Sequence, residues 1–141
     1  MDATIEHRRQ LIREGLRGLA NPLALIYYTS NVASVATRAE RELLEDIADA
    51  SDKIQLSVLA ELWDTKREHD VGIARTPAIV LKGEIDPGIR YYGAPDGYEL
   101  ETFLAVIRAV SERRSGLSEA SRAQVRELAA PRHLEVLVAP T

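Results

Sequence analysis

Hydrophobic and polar positions follow two periods along this chain, and the changes of period divide it into elements. Over residues 5–19, Ile5, Leu11, Ile12, Leu16 and Leu19 recur at helical spacing among polar and basic side chains, which predicts an amphipathic helix closed by Asn21-Pro22. Residues 23–28 form a short unbroken apolar run with two tyrosines, the pattern of a central strand buried on both faces. After the polar Thr29-Ser30-Asn31 turn, Val35, Leu43, Leu44, Ile47 and Ala48 mark a second helix running to about Ala50, with acidic and arginine side chains interleaved on its outer face. Ser51-Asp52 then turns the chain into a strand over residues 54–59, where Ile54, Leu56 and Val58 alternate with polar partners.

The second half repeats this alternation of helix and strand. Residues 62–70 are polar around a lone Trp63 and predict a short helix before Val71-Gly72-Ile73. Thr76-Pro77 leads into a buried strand over residues 78–81, and Lys82-Gly83-Glu84 turns into another over residues 89–92, the hairpin being closed by residues 93–97. Leu100, Phe103, Leu104, Val106, Ile107 and Val110 trace one face of a helix that ends near Glu112-Arg113-Arg114. Ser115-Gly116-Leu117-Ser118 breaks it. A helix over residues 119–128, Pro131 and a last strand over residues 134–138 complete the order.

Composition narrows the classes of function. The 141 residues, 45% hydrophobic and 28% charged, are those of one globular domain able to bury a core. The longest apolar stretch, residues 23–28, is far short of the ~20 residues needed to cross a bilayer, and the N-terminal segment is polar, so neither a membrane span nor a signal peptide is expected. A net charge of -4 with scattered arginines and no basic run gives no footprint for nucleic acid. The sequence contains no cysteine, which excludes disulfides and thiolate metal sites. No metal and no cofactor are expected, and the cytoplasm is the expected compartment.

The chain also carries an internal repeat. Leu19-Ala20-Asn21-Pro22 superposes on Leu128-Ala129-Ala130-Pro131 without a gap, and the same offset matches Arg13 with Arg122, Leu16 with Val125, Arg17 with Arg126 and Leu25 with Leu134. Both copies read helix, proline, apolar strand. Residues 1–114 are therefore expected to form one unit, and residues 115–141 a linker, helix and strand that begin a second.

The order helix, strand, helix, strand, Thr-Pro strand, hairpin, helix is that of an α/β thioredoxin-like fold with an extra N-terminal helix. More specifically, Asn21-Pro22-Leu23-Ala24-Leu25-Ile26, Ser51-Asp52-Lys53-Ile54, Arg75-Thr76-Pro77-Ala78 and the stretch from Gly88-Ile89-Arg90 through Gly93-Ala94-Pro95-Asp96-Gly97 resemble the N-terminal half of the glutaredoxin-like protein disulfide oxidoreductases. The N-terminal domain of the flavoprotein subunit of alkyl hydroperoxide reductase is similar. The resemblance implies two fused thioredoxin units, the second carrying a Cys-x-x-Cys after a strand like Val138-Ala139-Pro140-Thr141. In this sequence the corresponding positions of the first unit are Ser34 and Thr37, so the dithiol is lost.

A dithiol at that place works because a helix N-terminus lowers the pKa of its first cysteine. Ser34 shares the setting but keeps its proton and offers no sulfur. The ordinary role of such a serine is a helix N-cap. A serine hydrolase would need a histidine base and paired oxyanion donors, and His7, His69 and His133 lie in no such motif. The resemblance further implies that Pro77 is cis and that the backbone of Thr76 faces the Ser34 turn, where it could pair with an extended peptide. The alternative is a proline that only shapes the start of a strand. Trp63, Tyr91 and Tyr92 read either as binding aromatics or, more commonly, as packing, and Arg8-Arg9 and Arg113-Arg114 as solvated helix faces.

The expectation is thus a redox-inactive thioredoxin-fold domain with a structural or peptide-binding role, Thr76 and Pro77 forming its peptide-facing site. Its partners would be protein or peptide clients and a second thioredoxin-like unit. A homo-oligomer through the last strand is expected too, because an unpaired strand must find an edge. Two alternatives remain: part of an active disulfide oxidoreductase, and a stand-alone adaptor.

Overall fold

The computed structural model describes residues 3–30, 34–60 and 71–138, and the chain runs α1 (Ala3–Gly15), β1 (Leu23–Thr29), α2 (Val35–Asp49), β2 (Ile54–Ala60), β3 (Ala78–Lys82), β4 (Arg90–Tyr92), α3 (Glu99–Glu112), α4 (Glu119–Arg126). The strands form one mixed sheet in the order β2-β1-β3-β4. β1 is central: it pairs parallel with β2, Leu23 opposite Ile54, and antiparallel with β3, Tyr28 opposite Ala78. β4 closes the hairpin with Ala78 opposite Tyr92.

The period of two in β1 explains why that run is apolar throughout. Leu23, Leu25 and Tyr27 join Ile79 and Leu81 of β3 in a core shared with Ile12 and Leu16, with Leu43, Leu44 and Ile47 of α2, and with Leu100, Phe103, Leu104 and Ile107 of α3. Three helices therefore cover one face of the sheet. On the other face Tyr28 meets Ala78, Val80 and Ile73, with Ile26 and Tyr92 beside them. Truncating one fully buried leucine such as Leu44 to alanine would cost about 2–5 kcal/mol, a large share of the roughly 5–15 kcal/mol that holds a domain together.

The fold departs from the sequence reading at identifiable places. α1 stops at Gly15 rather than residue 19, because Arg108 of α3 binds the carbonyls of Gly15 and Arg17 and Gly18 turns the chain with φ +68°. Leu16 and Leu19 still enter the core through that turn. Arg8 and Arg9 are not simply solvated: both guanidinium groups bind Asp46 of α2 at 3.0 Å, tying α1 to α2. Tyr91 is a packing residue, its ring edge-on to Phe103 at 5.1 Å.

The last strand does not form. Residues 134–138 have no ladder partner among the described residues, and Leu134, Val136 and Leu137 are each more than 85% exposed. An isolated strand has no means of satisfying its backbone except water. The helix expected over residues 62–70, with Trp63 and His69, lies outside the described residues.

Candidate functional site

Topology brings the residues singled out in the sequence to one end of the sheet. β1 delivers the chain toward α2 there, β3 begins beside it after Thr76-Pro77, and β4 ends opposite Ala78 before the chain enters α3. Ser34, Thr37, Thr76, Pro77, Tyr92 and Tyr98 thus share that end.

Ser34 is the N-cap of α2, with extended φ/ψ of -68°/151°. Its hydroxyl oxygen accepts the amide of Thr37 at 3.0 Å and its proton goes to Thr37 Oγ1 at 2.7 Å. Thr37 Oγ1 lies 3.4 Å from Thr29 Oγ1, and both threonines are buried. The first turn of α2 is therefore closed by its own side chains. Beside it the Tyr27 phenol donates to Glu40 of α2. Burial, followed by the hydrogen bond and charge of Glu40, pushes the Tyr27 pKa well above the ordinary tyrosine value.

This cluster is hydroxyl and carboxylate chemistry, with no histidine base for Ser34 among the described residues. The hydroxyl hydrogen bonds of Ser34 among the described residues run to Thr37. His7 lies exposed on α1 and His133 pairs with Glu135 in the exposed C-terminal segment. No group of three or more histidine, aspartate or glutamate side chains among the described residues could hold a metal ion, and no helix among them is long and apolar enough to cross a membrane.

The Thr76–Pro77 bond is cis, and both residues are half-buried. The segment before it is fastened to β4 by contacts that periodicity did not foretell. Arg90 donates to the Val71 carbonyl at 3.0 and 2.7 Å while also binding Asp86. That hydrogen bond holds the Asp86 carboxyl below its ordinary pKa. The Ala74 amide donates to the Tyr92 hydroxyl at 2.9 Å, and the Arg75 guanidinium lies 4.2 Å over the Tyr92 ring. Arg75, Arg90 and Tyr92 all fall within stretches that carried the family resemblance, and of the three only Tyr92 was given a reading there, as a binding or packing aromatic. Two large apolar side chains stand out at this end, Val35 at 79% and Tyr98 at 86% exposure.

No protein-family model and no curated protein matches the sequence. Solved structures do match the fold. A protein disulfide oxidoreductase from Aeropyrum pernix aligns with a TM-score of 0.74 at 23% identity, over 91% of this chain and 56% of its own. The NTD_N/C domain of alkylhydroperoxide reductase AhpF from Enterococcus faecalis aligns at 0.72 and 20% identity, over 85% of this chain and 58% of its own. A C503A mutant of AhpF from the same organism aligns at 0.73 and 22% identity, over 89% of this chain and 60% of its own. The chain has a thioredoxin-like fold, and it spans less than two thirds of each of these structures.

Proposed function

We propose that this chain is a redox-silent thioredoxin-fold domain that acts by non-covalent contact, holding extended protein segments at the sheet end bounded by Ser34, Thr76 and Pro77. One observation carries the reading: the two dithiol positions are hydroxyls that hydrogen-bond to each other, in a chain without cysteine. Disulfide exchange needs a thiolate to attack sulfur, and neither side chain supplies one. The same end offers two exposed apolar side chains, Val35 and Tyr98, and an arginine-aromatic stack, groups suited to gripping a peptide.

A second reading has one observation in its favour. Each matched structure is longer than this chain, with 56–60% of its length covered. In that reading the domain is the silent half of a two-unit disulfide oxidoreductase and packs on a redox-active unit. We place either form in the cytoplasm.

The test is an NMR titration of the chain with a reduced, unfolded protein, run beside an insulin-reduction assay. Shifts clustered at residues 34–37, 75–78, 92 and 98, weakened about tenfold by Tyr98→Ala, support the peptide-holding reading. Turnover of insulin above background, or shifts confined to another surface, overturns it.

A further inference from the structure

The sheet end that holds Ser34 and Pro77 carries two cations that the fold itself does not engage. Other arginines bind acidic groups of the chain: Arg8 and Arg9 bind Asp46, Arg90 binds Asp86, and Arg41 and Arg108 bind the glutamates one turn on. Arg75 and Arg38 are different. Both are exposed, and neither side chain has a hydrogen-bond or ion-pair partner among the described residues. Arg75 lies two residues before Pro77, and Arg38 lies in the first turn of α2, where its amide donates to the Ser34 carbonyl at 3.1 Å.

Arg75 is held in place by an aromatic ring. Its guanidinium lies 4.2 Å over Tyr92, whose hydroxyl accepts the Ala74 amide at 2.9 Å, so ring and arginine are fixed to the same stretch of backbone. Stacking uses the flat face of a guanidinium. It leaves the N–H fork at the edge open, and that fork matches the two oxygens of a carboxylate. The carboxylates at this end are turned to other donors: Glu40 accepts from Tyr27, Glu99 from Tyr91, and Asp96 from the Gly97 amide, with Arg8 4.0 Å from Asp96. Glu101, exposed in the first turn of α3, pairs with neither arginine among the described residues.

We propose that the segments held at this end are acidic: an extended stretch whose aspartate or glutamate carboxylates meet Arg75 and Arg38 and whose apolar side chains meet Val35 and Tyr98. The proposal rests on the peptide-holding reading above and adds the chemistry of the ligand. Val35 and Tyr98 are 79% and 86% exposed. Val35 and Arg38 stand three residues apart on α2 and so share a helix face, which offers hydrocarbon and positive charge side by side. The chain as a whole carries a net charge of -4, so attraction for an acidic segment comes from these two arginines and not from the overall field.

The test is an NMR titration of the full chain with three blocked heptapeptides that alternate valine with glutamate, with glutamine or with lysine. The glutamate peptide is expected to bind about tenfold more tightly than the glutamine peptide, with shifts at residues 34–38, 75–78, 92 and 98, and the lysine peptide least tightly. Arg75→Ala should reduce that preference about fivefold and leave the affinity for the glutamine peptide and the circular dichroism unchanged. Arg75→Lys keeps the charge without the fork and should recover less than half of the loss. Arg75→Glu should move the preference to the lysine peptide. Equal binding of the three peptides at this end, or a glutamate preference that Arg75→Glu leaves in place, overturns the acidic class while the peptide-holding reading stands. Shifts at this end from none of the three overturn both.

Discussion

Asn21 and Ser111 are joined by three hydrogen bonds across 90 residues of chain. The Asn21 amide donates to Ser111 Oγ at 3.0 Å, Ser111 Oγ donates to the Asn21 carbonyl at 2.7 Å, and Asn21 Nδ2 donates to the Ser111 carbonyl at 2.8 Å. Ser111 is fully buried on a helix face that otherwise reads as apolar and polar in turn. The pair fixes the entry to β1 against the last turn of α3.

Ser111→Ala removes a donor and an acceptor at once and leaves both backbone groups of Asn21 without their partner. The expected cost is about 2–3 kcal/mol, the scale for stranding buried polar groups. Urea unfolding should show a lower midpoint at an unchanged slope. A double-mutant cycle with Asn21→Ala should give nearly additive losses, because Ser111 Oγ binds the Asn21 backbone and Asn21 Nδ2 binds the Ser111 backbone, so each substitution removes different hydrogen bonds. Strong coupling would mean that losing one set of bonds also breaks the other.

Ser34→Ala removes the cap of α2 and is expected to cost about 1 kcal/mol. The converse experiment probes whether these two positions can carry a dithiol. The hydroxyl oxygens of Ser34 and Thr37 already meet at 2.7 Å, so cysteines at both positions lie within reach of a disulfide. The variant Ser34→Cys/Thr37→Cys should oxidise in glutathione buffer, and its first thiol, at a helix N-terminus, should react with iodoacetamide well below the usual thiol pKa. A dithiol that stays reduced would show that the turn no longer has the geometry of an active one.

Periodicity was enough for the elements whose partners lie nearby in space and whose faces differ in polarity. The central strand was legible because β1 is buried on both faces, and α2 and α3 because Leu43, Leu44 and Ile47, or Phe103, Leu104 and Ile107, recur on one face. Long-range polar contacts left no such trace. Nothing local in the sequence tells that Arg108 ends α1 early, that Tyr27 within an apolar run hydrogen-bonds Glu40, or that Arg90 fastens the segment before Pro77. The last strand failed for a related reason: its apolar pattern is real, but a strand exists only with a partner. The absence of cysteine was legible because it is itself a sequence property.

Two tyrosines make stability depend on alkaline pH. Burial first, and then hydrogen bonding to Glu40 and Glu99, raises the pKa of Tyr27 and Tyr91 in the folded chain above the ordinary value near 10. The unfolded chain therefore releases these protons at lower pH than the folded one. Their contribution is fully present below about pH 10 and is lost as pH rises beyond it. Urea midpoints should fall from pH 9 to pH 11, and the fall should be shallower in Tyr27→Phe. Absorbance at 295 nm should show Tyr27 and Tyr91 ionising only above the ordinary tyrosine range. A midpoint independent of pH across that interval would contradict the assignment.

Arg108 is expected to be the most consequential charged residue outside the sheet end. Its guanidinium donates twice to the Gly15 carbonyl, at 3.1 and 2.7 Å, once to the Arg17 carbonyl at 2.7 Å, and once to Glu112 at 3.1 Å. Those carbonyls belong to the last residue of α1 and to the turn after it, where helical partners run out. One planar group thereby satisfies two acceptors and clamps α1 to α3, a geometry an ammonium cannot reproduce. Arg108→Ala is expected to destabilise the chain by about 1.5–3 kcal/mol, as for hydrogen bonds to a charged group, and Arg108→Lys should recover less than half of that. Hydrogen exchange separates the clamp from a mere surface charge. Amides of residues 16–20, whose turn depends on Arg108, should exchange at least tenfold faster in Arg108→Ala while those of β1 lose only the global share. Equal loss at both sites would mean that Arg108 adds stability without shaping the end of α1.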